Sequence, residues 1–149
     1  MGLFMGIDAS ASGLTAERLR MDVISNNIAN SNTTRTERGG AYHRKVVVFE
    51  PRTREPKPFE RTLIRAIGAT KQAGEGVRAV SIVEDNSPGP MIYAPGHPDA
   101  NADGYVEKPN VNTVQEMVDM ITAQRAYEAN ATAMNSAKAM ANKALEIGK

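Results

Sequence analysis

All eight prolines lie between Pro51 and Pro109, and glycine is absent from residues 14–38 and 105–147. These two residue types break helices, one by removing a donor and clashing with the preceding turn, the other by its backbone entropy. Two breaker-free segments therefore flank one punctuated middle. In the first, Ile7, Leu14, Met21 and Ile28 recur every seven residues, with Leu3 and Ile24 at the intervening position and Ser10 and Glu17 interrupting. This is an imperfect heptad seam. It is expected to end at Asn30–Thr34, because Asn tolerates the left-handed C-cap conformation. In the second, Asn112 or Thr113 caps the start, with Gln115 or Glu116 as capping-box partner. Met117, Met120, Gln124, Tyr127, Ala131, Met134, Lys138, Ala141 and Leu145 then alternate spacings of three and four, which predicts a second striped helix.

Helices of roughly 25–35 residues run about 40–50 Å at ~1.5 Å per residue. A chain of 149 residues makes a domain only about 30 Å across. The helices should project beyond any core the middle offers. With aromatics at 5% and no Trp, a large compact core is not expected. Pairing the two stripes leaves apolar flanks at Leu19, Val23, Val118 and Ile121, and other subunits are the natural source of cover.

The middle carries β signals. Lys45–Phe49 (KVVVF) is one β-branched run, Val77, Val80, Ile82 and Val83 mark a second, and Met91-Ile92-Tyr93 a third. Gly74-Glu75-Gly76 and Ser87-Pro88-Gly89-Pro90 are turn signals. Three to five short strands in one small sheet or partial barrel are predicted, and Pro51–Pro58 reads as an extended loop. The organisation is an α+β chain: an N-terminal helix in 1–34, a β-rich insertion in 35–111 and a C-terminal helix in 112–149.

Charge and composition exclude several classes. The net charge is +1, which predicts no general affinity for nucleic acid. Residues 35–78 hold eleven Lys or Arg against five Glu, a net of +6, leaving −5 elsewhere. A solvated loop surface accounts for that asymmetry, and steering against acidic neighbours is the alternative. There is no cysteine, which rules out disulfides, thiol catalysis and Cys-bound zinc and suits passage between redox compartments in unfolded form. No run of about 18 apolar residues exists to span a membrane. The first eight residues lack a basic leader region, so no cleaved signal peptide is expected.

Two constellations invite a chemical reading. Asp99-Ala-Asn101-Ala-Asp103-Gly104 matches the first half of an EF-hand loop, but Asn110 stands where a bidentate Glu is needed and Pro98 forbids a normal entering helix. A calcium-binding extracellular module is the main alternative function, and an Asx-rich turn is the plainer reading. His43 and His97 are the two histidines. A hydrolase acting on cell wall needs them to converge with Asp99 and Asp103 despite lying 54 positions apart, and no nucleophile, base or phosphate loop accompanies them. No catalytic residue, cofactor or metal is expected.

The Asn cluster at 26, 27, 30 and 32 is unusual, since Asn is a poor mid-helix residue. It admits two readings: hydrogen bonds between packed helices that fix register, or capping at a fraying end. Likewise Gln124 on the seam can bond across it, while Arg125 either meets a neighbour's carboxylate or is simply solvated.

Ile24–Thr33 (ISNNIANSNT) resembles the SNNIANxNT signature near the N-terminus of flagellar rod and hook axial proteins. Residues 112–130 (NTVQEMVDMITAQRAYEAN) are similar to the EMVxMIxAQRAYEAN element near the C-terminus of the same family. Gly96–Val106 (GHPDANADGYV), followed by Pro109-Asn110-Val111, looks like the stretch before that helix in the proximal rod members, whose short length also fits. The segment from about Arg35 to Ala73 has no such counterpart.

This resemblance implies that both terminal helices pair into an inner layer lining a hollow shaft, with the β-rich insertion outside. It implies a rod subunit of the flagellar basal body that carries torque. It also implies export through the flagellar type III apparatus without a cleaved leader, and assembly with other rod proteins and copies of itself. The candidate assembly-interface residues are Ile7, Leu14, Met21, Ile24, Asn26, Asn27, Ile28, Asn30, Met117, Met120, Ile121, Gln124, Arg125, Tyr127, Met134 and Leu145.

Overall fold

The computed structural model describes residues 3–52 and 76–147, with side chains for 5–52 and 76–146. Two long helices, α1 (Leu3–Ala29) and α2 (Thr113–Ile147), enclose four short strands: β1 (Lys45–Pro51), β2 (Val77–Glu84), β3 (Met91–Tyr93) and β4 (Tyr105–Glu107). The fold is α+β with paired terminal helices, as expected. At ~1.5 Å per residue α1 runs about 40 Å and α2 about 52 Å.

The helix ends follow local chemistry. Asn112 caps α2, its Oδ1 accepting from the amides of Val114 (3.1 Å) and Gln115 (3.3 Å). Glu116 does not turn back to complete a capping box; its side chain points inward and is buried. α1 stops near the expected place but by a different device. No non-glycine residue among those described has positive φ. Instead Ser31 and Thr33 amides donate to the carbonyls three residues back, Ile28 and Asn30, a tightening of the last turn.

The helices run antiparallel in one register. Asn27 bonds Glu116 and Gly13 abuts Asn130, and both pairs of residue numbers total 143. That register sets Leu3 level with Met140 and leaves residues 141–147 of α2 beyond the start of α1.

The seam differs from the expected one. Its most buried positions are Gly13, Ala16, Val23, Ile24 and Asn27 on α1, and Glu116 and Ala123 on α2. Ala123 is 0% exposed, whereas Met117 is 54% and Leu145 74% exposed. Small residues draw the backbones together: a Cβ added at Gly13 would lie 2.8 Å from Asn130 Nδ2. Close approach at Gly13, Ala16 and Ala123 rotates α2 so that Met120, Ala131, Met134 and Ala141 are half-buried while Met117, Gln124 and Lys138 face outward.

The β segments form two separate two-stranded ribbons, β1–β2 and β3–β4, both antiparallel. One common sheet does not form among the described residues. Pro88 and Pro90 lack backbone donors, so the chain leaving β2 cannot continue pairing there. β1–β2 instead lies along α1. Lys45, Val47 and Phe49 on its inner face are less exposed than Val46, Val48 and Glu50, and a groove of about 250 Å³ is lined by Val47, Phe49, Val23 and Ile24 among others. Val23, expected to await another subunit, is thus covered by the chain's own ribbon. The far end of the ribbon is pinned by Ser12, whose Oγ accepts from the Val77 amide (3.0 Å) and donates to the Ala9 carbonyl (2.7 Å). Gly76, at φ +112°, comes so close to Ser12 that a Cβ would collide with its hydroxyl. The loop expected at Pro51–Pro58 lies, beyond Arg52, outside the described residues.

Candidate functional site: a buried polar junction beside an uncovered apolar stripe

Where α1 ends, β1 begins and α2 starts, two polar side chains are buried almost completely, Asn27 and Glu116 at 1% exposure each. Burying such groups is costly unless each finds partners. Asn27 finds all it can use. Its Nδ2 donates to the Lys45 carbonyl (2.8 Å) and to Glu116 Oε2 (2.9 Å). Its Oδ1 accepts from the Lys45 amide (2.9 Å) and the Tyr42 hydroxyl (2.9 Å). Two donors and two lone pairs are a carboxamide's full capacity.

The other Glu116 oxygen, Oε1, accepts from Arg44 Nε at 2.6 Å, and Arg44 Nη2 reaches Asp119 Oδ2 at 3.2 Å. One guanidinium thus grips two successive turns of α2. Glu116 and Asp119 also place negative charge in the first turns of the helix, where its dipole favours it. Asn110 adds a further tie: its Oδ1 accepts from the Arg44 amide (2.7 Å), and its Nδ2 donates to the carbonyls of Asp85 (2.8 Å) and Ser87 (3.1 Å). Burial, then the Glu116 and Glu84 carboxylates, push the Tyr42 phenol above its ordinary range, so it remains a donor at neutral pH. The Ser87 hydroxyl and amide hold the Asp85 carboxyl below its usual range.

The candidate interface residues divide around this junction. Ile24 and Asn27 are spent inside the subunit. Ile7, Leu14, Met21, Ile28, Asn30, Met120 and Met134 are half-buried. Asn30 Nδ2 folds back on Asn26, to its carbonyl (2.9 Å) and its Oδ1 (3.2 Å). Asn26, Gln124, Arg125, Tyr127 and Leu145 are exposed. Met117 and Ile121 join Val114 and Val118 in an uncovered stripe, every member more than half exposed. Spacings of three, one and three residues put these four on one face of α2.

The sequence did not single out Tyr42 or Arg44, it noted Asn110 only as the residue standing where an EF-hand loop needs Glu and as part of the resemblance, and it assigned Glu116 only to capping. The one signal was Asn27 itself, a member of the unusual Asn cluster at 26, 27, 30 and 32. The Asp99–Asp103 loop is an Asx turn: Asn101 Oδ1 accepts from the amides of Asp103 (3.1 Å) and Tyr105 (2.8 Å). Asp99 Oδ2 accepts from the Thr34 hydroxyl (2.8 Å), and its Oδ1 lies 3.6 Å from Arg35. Among the described residues no three His, Asp or Glu side chains gather to hold a metal.

Comparison with known proteins places the chain. Residues 7–35 match the family described as flagella basal body rod protein, and residues 102–147 match the C-terminal family of the flagellar basal body rod FlgEFG proteins. Over its full length the chain is similar to proteins named flagellar basal-body rod protein FlgC. It is 51% identical to that of Borreliella burgdorferi, with 99% of this chain and 98% of the relative covered. It is 46% identical to that of Bacillus subtilis, with both chains covered completely. It is 35% identical to that of Salmonella typhimurium, with 99% of each covered. Both ends of the chain thus carry rod-protein sequence on the paired helices just described, and the chain belongs to the FlgC family of flagellar basal-body rod proteins, as a structural subunit of the rod.

Proposed function

We propose that this subunit joins the proximal rod by laying the Val114–Met117–Val118–Ile121 stripe of α2 against helices of neighbouring subunits, both other rod proteins and copies of itself. The uncovered stripe carries this reading. It sits on a long helix whose opposite face is already occupied by α1, so its four apolar side chains are left more than half exposed among the described residues. Fully burying one such side chain stabilises by about 1.5–3 kcal/mol. These are already half-covered, so docking the stripe contributes on the order of 4 kcal/mol per subunit. The end of α2 adds further exposed apolar side chains, Met140 level with the start of α1 and Leu145 beyond it.

The work is then mechanical, with no catalytic step: many dispersed contacts bind rigid helices into a shaft that transmits torque. Delivery through the flagellar type III apparatus in unfolded form fits a chain without cysteine. No described helix is long and apolar enough to cross a membrane.

The direct test is substitution on the stripe. Val118→Asp and Ile121→Asp are expected to leave the isolated fold intact, because both side chains already face solvent, and to abolish incorporation into basal bodies and hence motility. Normal motility in both variants would contradict the assignment.

A further inference from the structure

The β1–β2 ribbon is fastened to α1 at both ends, through Asn27 at Lys45 and through Ser12 at Val77. The spans match. From Lys45 to Pro51 is roughly 20 Å of strand, and from Ser12 to Asn27 is roughly 22 Å of helix. Ribbon and α1 therefore form one braced unit. α2 packs against α1 alone among these elements. Among the described residues, direct side-chain bonds from the ribbon segment to α2 come from one residue, Arg44, through Glu116 and Asp119.

From this we infer that Arg44 is a positioning residue that sets the angle of α2 against the α1–ribbon unit, and so the relative orientation of two surfaces: the α2 stripe and the ribbon's outer face of Val46, Val48 and Val83. The guanidinium fork spans one turn of α2, which fixes rotation about the helix axis as well as distance. A lysine would hold Glu116 with a single point charge and lose the tie to Asp119, and so would not resist that rotation. Glu116 is itself held from the other side by Asn27, so the fork closes on a fixed point. Only the consequence for assembly rests on the rod-docking reading; the positioning role stands on the geometry of the single chain.

The test uses the full chain, in which introduced cysteines are the only ones. Spin labels at Ser81→Cys on the ribbon and Glu128→Cys on α2, both exposed, report the distance between the two units. The unchanged chain should give one narrow distribution. Arg44→Lys should broaden it about twofold or split it, with helical circular dichroism retained, and Asp119→Asn should broaden it less. If Arg44→Lys lowers the melting temperature and leaves the distribution unchanged, Arg44 is a stabilising contact only and the positioning role is wrong. Should Arg44→Lys fail to fold, Asp119→Asn decides by the same criterion. An unchanged distribution would overturn the positioning role even if the stripe variants block rod assembly.

Discussion

Replacing Asn27 by Asp removes two donor hydrogens and leaves the side chain's shape intact, so it isolates the chemistry of the junction. The wild-type Nδ2 donates at 2.8 Å to the Lys45 carbonyl and at 2.9 Å to Glu116 Oε2. A carboxylate at 27 turns both into oxygen–oxygen contacts. Losing a buried donor costs about 1–3 kcal/mol for each group left unpaired. Two carboxylates ~3 Å apart add about 5 kcal/mol of repulsion at an effective dielectric of ~20. Side-chain movement and proton uptake relieve part of this, which leaves a net loss of about 3–5 kcal/mol at pH 7. The assay is denaturant unfolding of the full chain followed by near-ultraviolet circular dichroism, since Tyr42 sits in the junction. The sign with pH is definite. A proton bound between the two carboxylates restores a donor, so the folded variant holds protons more tightly than the unfolded chain. Its deficit is largest at neutral pH and shrinks as pH falls toward about 5. A variant within about 1 kcal/mol of wild type at pH 7, a margin typical of surface changes, would refute the claim that Asn27 is a fully committed buried amide.

Three further outcomes follow from neighbouring features. Gly13→Val should destabilise by about 1–3 kcal/mol in urea titration, because its side chain enters space held by Asn130. Asn112→Ala removes the acceptor for two amides at the start of α2; it should cost about 1 kcal/mol and reduce amide-exchange protection in the first turn of that helix. The Tyr42 phenol is held above its ordinary range in the folded chain, so its stabilising contribution is complete below about pH 10 and is lost as pH rises through the folded value. Tyr42→Phe should flatten that alkaline decline in a pH series of unfolding free energies and cost about 1 kcal/mol at neutral pH.

The two helices were legible because Pro is confined to the middle, because Gly is absent from 14–38 and 105–147, and because Asn112 is a strong cap. Which face of each helix is inward was less so. The alternating spacing of three and four favours Met117, Gln124 and Leu145, while the actual seam uses Gly13, Ala16 and Ala123, whose importance lies in how little space they take. Glu116 misled for a related reason: three residues after a capping position it fits a capping box, and only the arrival of Arg44 and Asn27 makes an inward turn favourable. Those partners lie 72 and 89 positions away, beyond any periodicity. β1, β2 and β3 announced themselves by β-branched and aromatic runs. β4 offers only the apolar pair Tyr105-Val106 before a charged Glu107, and it follows directly on the stretch read as an Asx-rich turn. The division into two ribbons depends on Pro88 and Pro90 removing donors at the join, a signal present in the turn but not drawn on for pairing. The recognition motifs at the two ends turn out to meet in space, since Asn27 belongs to one and Glu116 to the other.

Rod assembly through α2 requires its outward face to be covered once the subunit is in place. With no native cysteine, a single Val118→Cys substitution reports on that face alone. Maleimide labelling of this variant in the isolated subunit and in purified basal bodies is the measurement. Rapid labelling of the free subunit and protection in basal bodies, with Glu50→Cys on the ribbon as a reference for the free-subunit rate, is the predicted result. Equal labelling of the Val118→Cys variant in both states would contradict it.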